Sequence, residues 1–448
     1  MRRLLPAPIA SGVRKTAFAA LALCALAPTL ARAQSIAAGS PGAARVEGPG
    51  IALGERLVLH VGIGAELRYD SNVYYETNNT TAGLALRLTP NFSLATRTGL
   101  RAGDSDQAAH KVDFRIGGGL DYREWIWANT GIRPPRQFNV LANLALVILP
   151  TGPVTIELFD NFVRTNQPAY EAVNHNYDRD INELGIRLRI KPGGGRLELQ
   201  LGYAFGIDLW EVDALARDYN NFYHRSTVRL LWKFLPKTSV YVQGENYVYQ
   251  YRNSPTVQPD GNPIRPDGYP LRVIAGLNGL LTTKLTFDIY GGYGNGFYKS
   301  GPSPNTGVAG LSLTWRPYAL GSGTLAYRHD FINSLLGVYA DIDNIQASWT
   351  QQIWRLTGFL RLAYQNTRYQ GIAPNAGNLP NATQRTDNSF TLNARVDYFA
   401  YKNWLALSLG YDFNLVSSDS HLGMASIGAV TPVDFQKHEV YANLSVLF

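Results

Sequence analysis

The chain ends on "HEVYANLSVLF" (438–448). Val440, Ala442, Leu444, Val446 and Phe448 are apolar, while Glu439, Tyr441, Asn443 and Ser445 between them are polar or amphipathic. A strict period of two places alternate side chains on opposite faces of a strand. One face of this segment suits an apolar medium and the other suits water. A soluble edge strand rarely keeps that pattern to the last residue, so the neighbouring sequence must show what the apolar face meets.

The same scheme recurs along the chain. "RLVLHVGIGAELRYD" (56–70) sets Leu57, Leu59, Val61, Ile63, Ala65, Leu67 and Tyr69 on one face. "RLELQLGYAFGIDLW" (196–210) and "RLTGFLRLAYQNTRY" (355–369) repeat it. Globular strands run about 5–6 residues. These run roughly 11–15, which suits a tilted membrane-spanning strand with a short extension beyond the lipid.

The connections alternate in length. "LPTGP" (149–153), "KPGGG" (191–195), "LPKT" (235–238) and "AYKN" (400–403) are tight and rich in turn residues. "YDSNVYYETNNTT" (69–81), the stretch 252–270 and the stretch 417–435 are long and polar. Eighteen alternating segments can be counted, starting near 56, 82, 110, 137, 153, 179, 196, 221, 238, 270, 285, 305, 321, 339, 355, 386, 404 and 436. Sixteen is the second count, because Pro90 interrupts the second segment and the thirteenth and fourteenth are less regular. The pattern predicts an all-β, up-and-down antiparallel transmembrane β-barrel with short periplasmic turns and long extracellular loops. Hydrocarbon offers no water to an unpaired N–H or C=O, so the last strand must close on the first. The apolar set of 440–448 then faces lipid.

Aromatic residues cluster where a membrane–water boundary would hold them. Trp232, Phe234, Trp315, Trp349, Trp354, Phe399 and Tyr401 flank the expected short turns. Tyr69, Trp125, Trp127, Phe297 and Tyr364 lie toward the long loops.

The N-terminus reads differently. Arg2, Arg3, Arg14 and Lys15 precede an apolar run, "TAFAALALCALAPTL", and "ARA" (31–33) forms an Ala-x-Ala cleavage site. Residues 1–33 are expected to be a secretory signal, 34–55 a flexible periplasmic leader and 56–448 the outer-membrane barrel. The single cysteine, Cys24, falls in the signal, so the mature chain is expected to have no disulfide or thiolate site. The signal also carries five basic residues and no acidic one. Without it, the formal net charge of +7 falls to about +2, too little for a nucleic-acid footprint.

If the apolar set faces lipid, the opposite set lines the interior. Pore-lining candidates are Glu66, Arg68, Arg87, Asp113, Arg115, Arg187, Glu198, Arg229, Arg272, Asp288, Tyr290, Arg361, Arg395, Asp397 and Asp412. Trp210 and Trp404 fall in the same phase and read as strand-end anchors. Barrels of 16–18 strands are wide enough for an aqueous channel. Opposed charges favour hydrated polar solutes, and many of the arginines should serve as interstrand salt bridges.

No nucleophile elbow, phosphate-binding loop or metal spacing appears. "DRDINE" (178–183) resembles the start of a calcium loop but has Glu183 where a glycine is required. His175 with Asp178, and His329 with Asp330, are the conceivable rim catalytic pairs and read as solvated loop residues. No catalytic residue, cofactor or metal is expected.

"GAELRYDSNVYYE" (64–76), followed by "LALRLTPNFSLAT" (84–96), resembles the β-barrel porin 2 family of outer-membrane proteins. There a Tyr-Asp-Ser-Asn-Val stretch, here Tyr69 to Val73, leaves the first strand and a proline-containing strand follows. The resemblance implies an outer-membrane channel, often associated with exopolysaccharide export. Implied partners are outer-membrane lipid, the outer-membrane assembly machinery and periplasmic polysaccharide-export proteins. Saccharide export is therefore the first functional expectation. General diffusion or solute uptake is the alternative, and a long loop folded inward around 252–269 would favour it. An outer-membrane enzyme is the third.

Overall fold

Alternation becomes a hydrogen-bonded ladder in every segment. The computed structural model describes residues 48–96, 111–131, 133–165, 178–211, 218–252, 265–334, 337–372, 384–401, 404–419 and 434–448. The proposed signal and most of the leader lie outside them. The strands are β1 (Leu57–Asp70), β2 (Gly83–Leu88 and Asn91–Thr96), β3 (Val112–Ala128), β4 (Gln137–Ile148), β5 (Val154–Thr165) and β6 (Arg179–Ile190). Then come β7 (Leu197–Trp210), β8 (Asn221–Leu235), β9 (Thr238–Tyr251), β10 (Leu271–Thr282), β11 (Leu285–Asn295) and β12 (Asn305–Tyr318). The last six are β13 (Gly321–Asn333), β14 (Tyr339–Ile353), β15 (Leu356–Gln370), β16 (Gln384–Ala400), β17 (Leu405–Ser418) and β18 (Phe435–Leu447). Each is antiparallel to its sequence neighbours, and β18 pairs β1 from Gly62 opposite Leu447 to Asp70 opposite Glu439. The result is a closed 18-strand transmembrane barrel.

Side-chain exposure fixes which face is outside. On β18, Val440 and Leu444 are 53% and 44% exposed, whereas Tyr441 and Glu439 on either side of Val440 are 6% and 9%. On β15 the exposed set runs Leu356, Leu360, Leu362, Tyr364 and then gives way to Asn366 and Arg368 in the same phase. The apolar span from Leu356 to Tyr364 matches the 9–11 residues a tilted strand needs to cross hydrocarbon. The wall therefore continues past the lipid at the long-loop end. Trp232, Phe234, Trp315, Trp354 and Tyr401 stand exposed at the short-turn rim, and Tyr69, Trp127, Phe297 and Tyr364 stand exposed at the upper one. Trp349 and Phe399 are half-buried.

Three sequence expectations change. Trp125 is no girdle residue: it is 1% exposed and lies on the inner face over Gly83. Plain alternation places it there, in phase with Asp121 and Arg123; the bulge at Ile126, where Leu84 opposes Trp127 but Ala85 opposes Trp125, instead turns Trp127 outward. The expected leader is also partly built: Ile51–Leu53 pairs with Leu57–Leu59 through a turn in which Gly54 adopts φ 68°, left-handed backbone that suits glycine. Pro90 splits β2, yet both halves pair with β1 and β3, and Thr89 still exchanges both backbone bonds with Gly64. Only the missing proline donor is lost.

The seam between β1 and β18 is reinforced beyond its ladder. Past Asp70, the Ser71 N–H donates to the His438 carbonyl (2.9 Å), and the His438 N–H donates to the Ser71 hydroxyl (2.8 Å). Asn72 donates from its side chain to the carbonyls of Glu76 (2.7 Å) and Gln436 (3.2 Å). The Asp70 carboxylate accepts from the Asn72 N–H (2.9 Å) and pairs with Lys437 Nζ (2.6 Å). Both charged groups are buried. Removing one partner of such a pair costs about 3–5 kcal/mol. Asp70→Ala is thus expected to lower markedly the temperature at which the folded, fast-migrating gel band converts to the unfolded one. An unchanged transition would remove the seam from this account.

Candidate functional site

The inner face carries the wall's charged groups beside a few apolar ones such as Ile274 and Val308, and it differs between its two halves. Inward side chains near the short turns, including Arg187, Arg229, Asp288, Tyr290, Arg361 and Arg395, remain partly or fully exposed. Near the long loops they are mostly buried. The short-turn half of the inner face, the vestibule, is thus open to solvent, and the long-loop half, the throat, is packed.

In the vestibule, ion pairs hold the wall. Arg187 pairs with Glu157 (2.9 Å) and Arg189 with Glu198 (3.2 Å) across strands, and Arg395 pairs with Asp397 (3.0 Å) along β16. Arg115 and Asp113 share the inner phase of β3 with Asp121, which holds Arg87 at 2.6 Å. Tyr241 lies flat over Gly276, where an added Cβ would meet its ring at 2.4 Å. Its hydroxyl donates to Asp288 (2.9 Å), and the Arg229 guanidinium sits 4.0 Å from the ring centroid. Tyr290 lies similarly over Gly310 and packs against the cluster of Tyr241, Ile274 and Val308.

Along the seam, Arg68 gathers three carboxylates: Glu66 at 2.7 Å, and Asp412 and Glu439 at 3.2 Å each. Asn393 donates to Asp412 (2.8 Å), and Arg68 stacks 4.2 Å from the Tyr441 ring. The β1–β2 loop folds over this network, with the Tyr75 ring 4.1 Å from Lys437 Nζ and edge-on to Phe435. Burial pushes the Tyr75 phenol above its ordinary value. These expected pore-lining residues are inward but sealed, so they brace the wall.

The throat comes from β13 leaving its neighbour. Pairing with β12 ends at His329, while pairing with β14 continues to Asn333. The freed end leans across β11 and β12 toward β10. Asp330 and Phe331 are both fully buried there. Asp330 accepts from Arg272 (2.8 Å) and Arg328 (2.5 Å), and the Arg272 guanidinium lies 4.2 Å from the Phe331 ring. The Tyr298 hydroxyl donates to Asn333 (2.5 Å). Arg265, also buried, donates to the carbonyls of Ser334 and Gly337 and stacks 4.4 Å from the Tyr219 ring, so one side chain ties three loops together. Beside it the Lys299–Asp267 hydrogen bond (2.7 Å) holds the lysine ammonium above its ordinary value.

The inward-folded segment is therefore the β13–β14 hairpin. The stretch expected to fold in, 252–269, is described only at its ends, and Gly268 bridges Tyr249 and Tyr298 as part of the wall. His175 lies outside the described residues. Trp210, read as an anchor, is buried on the inner face with Arg179 4.6 Å from its ring. Trp404 does sit at the rim, its ring 4.4 Å from that of Phe448. His329 bonds Asp343 (2.8 Å) on the outer face while Asp330 points inward, so they form no pair. Among the described residues no cluster of His, Cys, Asp and Glu could hold a metal.

No family model matches the chain, and no curated protein sequence matches it. Solved structures do. The chain is similar to OccK5 (OpdH) of Pseudomonas aeruginosa at 10% identity, covering 87% of this chain and 98% of that one, with a TM-score of 0.44. For OccAB3 of Acinetobacter baumannii the values are 9%, 88%, 99% and 0.45. For the siderophore receptor PirA of Pseudomonas aeruginosa they are 10%, 87%, 80% and 0.44. The fold assignment stands on the strand ladder of the chain itself.

The throat contacts give a direct expectation. Asp330→Ala leaves Arg272 and Arg328 without their shared carboxylate, a loss of about 3–5 kcal/mol for a buried pair. Hydrogen exchange should then quicken by orders of magnitude in peptides covering 330–342 and stay unchanged in β16–β18. Equal protection in both proteins would show that the hairpin is not held by this site.

Proposed function

We propose that this chain is an outer-membrane channel that passes hydrophilic solutes by diffusion or uptake. One observation carries the reading: a polar, partly solvent-exposed vestibule leads into a throat narrowed by an inward-leaning hairpin. A polymer threading through would need a uniformly wide lumen, whereas a constriction selects among small solutes by size and charge. A periplasmic vestibule, extracellular loops, insertion by the outer-membrane assembly machinery and a cleaved signal at 1–33 belong to the same proposal. The channel reading carries no catalytic role.

A second reading, saccharide passage and in particular exopolysaccharide export with periplasmic partners, has its own support. Tyr223 and Tyr290, both partly exposed, each lie flat over a glycine of a neighbouring strand, and Tyr247 and Tyr249 stack in parallel at 5.3 Å. Aromatic faces along a polar wall suit the C–H faces of sugar rings. The Tyr69–Val73 resemblance to β-barrel porin 2 points the same way. The packed throat opposes a polymer and leaves short saccharides compatible with it.

Purified protein in planar bilayers is expected to give stable, stepwise conductance, and a silent barrel would reject the channel. The double variant Arg265→Ala, Phe331→Ala should raise single-channel conductance, because it removes the tie and the wedge of the throat. Unchanged conductance would place the constriction elsewhere. Neutral oligosaccharides added to one side should interrupt the current only if the aromatic faces bind sugar.

A further inference from the structure

Most arginines of the lumen are neutralised where they stand. Arg187 has Glu157, Arg395 has Asp397, and Arg225 has Glu183 (2.5 Å). Two vestibule arginines differ. Arg229 on β8 has no carboxylate among the described residues: its guanidinium rests on the Tyr241 ring at 4.0 Å, and its Nε is buried without an acceptor. Among the described residues, Arg361 on β15 reaches the amide oxygen of Gln346 (3.1 Å) and no carboxylate. Both are partly exposed and lie in the half of their strands nearer the short turns. Six strands lie between them one way round the ring of eighteen and ten the other, so they stand on opposite sides of the hollow.

We infer that Arg229 and Arg361 are the solute-facing cations of the vestibule and give the channel a preference for oxyanions, above all carboxylates. The inference rests on the channel reading and deepens it. A guanidinium presents a rigid fork of donors that matches a carboxylate, and one not already paired offers that fork to a solute. Low-dielectric walls focus the field of such charges into the lumen and concentrate counter-ions there. Asp288 is the opposing charge on the same wall. Its oxygen is engaged by the Tyr241 hydroxyl rather than by Arg229. It therefore weakens the local field without neutralising the cation.

The test is the reversal potential across a planar bilayer under a KCl gradient, repeated with potassium acetate. The wild-type channel should favour the anion over K⁺ by at least about twofold, more at low ionic strength where screening is weak. Arg229→Gln with Arg361→Gln should abolish most of that preference, the corresponding lysine pair should retain it for chloride, and Asp288→Asn should increase it. A conducting wild-type channel with no preference, or with preference for K⁺, would overturn this inference while leaving the channel intact. So would a glutamine pair that keeps full anion preference. A barrel that never conducts would overturn the channel reading and this one with it.

Discussion

Hydrocarbon cannot hydrogen-bond a peptide group, and the rest of the molecule follows from that constraint. It forbids an open edge, so β18 must meet β1 and an unbroken ladder runs round the wall. It also explains how the one proline-split strand is tolerated: Thr89 keeps its partners, both halves of β2 keep theirs, and the break is confined to the residue that has no donor. The seam carries the extra bonds of Ser71 and Asn72 at the point where the chain leaves β1. The short Tyr-Asp-Ser-Asn stretch thus has a physical reason: its aspartate and asparagine complete the closure after the regular register has ended.

The same constraint sets the chemistry of the hollow. Outward side chains cannot be charged across the apolar span, so ionic groups of the wall fall on the inner face. There they meet one another in low dielectric, where an unpaired charge is costly and a well-bonded pair is tolerated. Arg68 with its three carboxylates and Asp330 with its two arginines are the dense examples. Such pairs make the long-loop half rigid. The few groups left without opposite charge lie in the open half, where water can solvate them. Rigid throat and hydrated vestibule are two outcomes of one rule about burying charge.

Much of this was legible in the sequence because a period of two admits few alternatives. Asn221, Thr238, Leu285, Asn305, Gly321 and Tyr339 are first residues of strands in both readings. Phase alone put Arg68, Arg229 and Arg361 inside. It failed where the chain departs from simple pleating. Trp127 leaves the alternation that Trp125 still obeys, because of a bulge at Ile126 that one sequence does not reveal. Phe331 shares the phase of Leu325 and Tyr327, which face lipid, yet it enters the lumen because β13 has already left β12. The sequence offered 252–269 as a long loop that could fold inward, and most of that stretch lies outside the described residues. Length, however, does not say which loop carries the aspartate that two distant arginines can grasp. Arg265, Asp330 and Lys437 were missed as a group because their partners are remote in sequence.

The central claim is that lipid lies against one face of this wall and water against the other. The only cysteine, Cys24, lies in the segment read as a removable signal, so single cysteines can report face by face. Cysteine placed in turn at Asn443, Leu444, Ser445 and Val446 of the lipid-embedded protein should react alternately with a charged, water-soluble thiol reagent. Positions 443 and 445 should label fast, and 444 and 446 should be protected. Labelling in the opposite phase, or equal labelling at all four, would contradict the account.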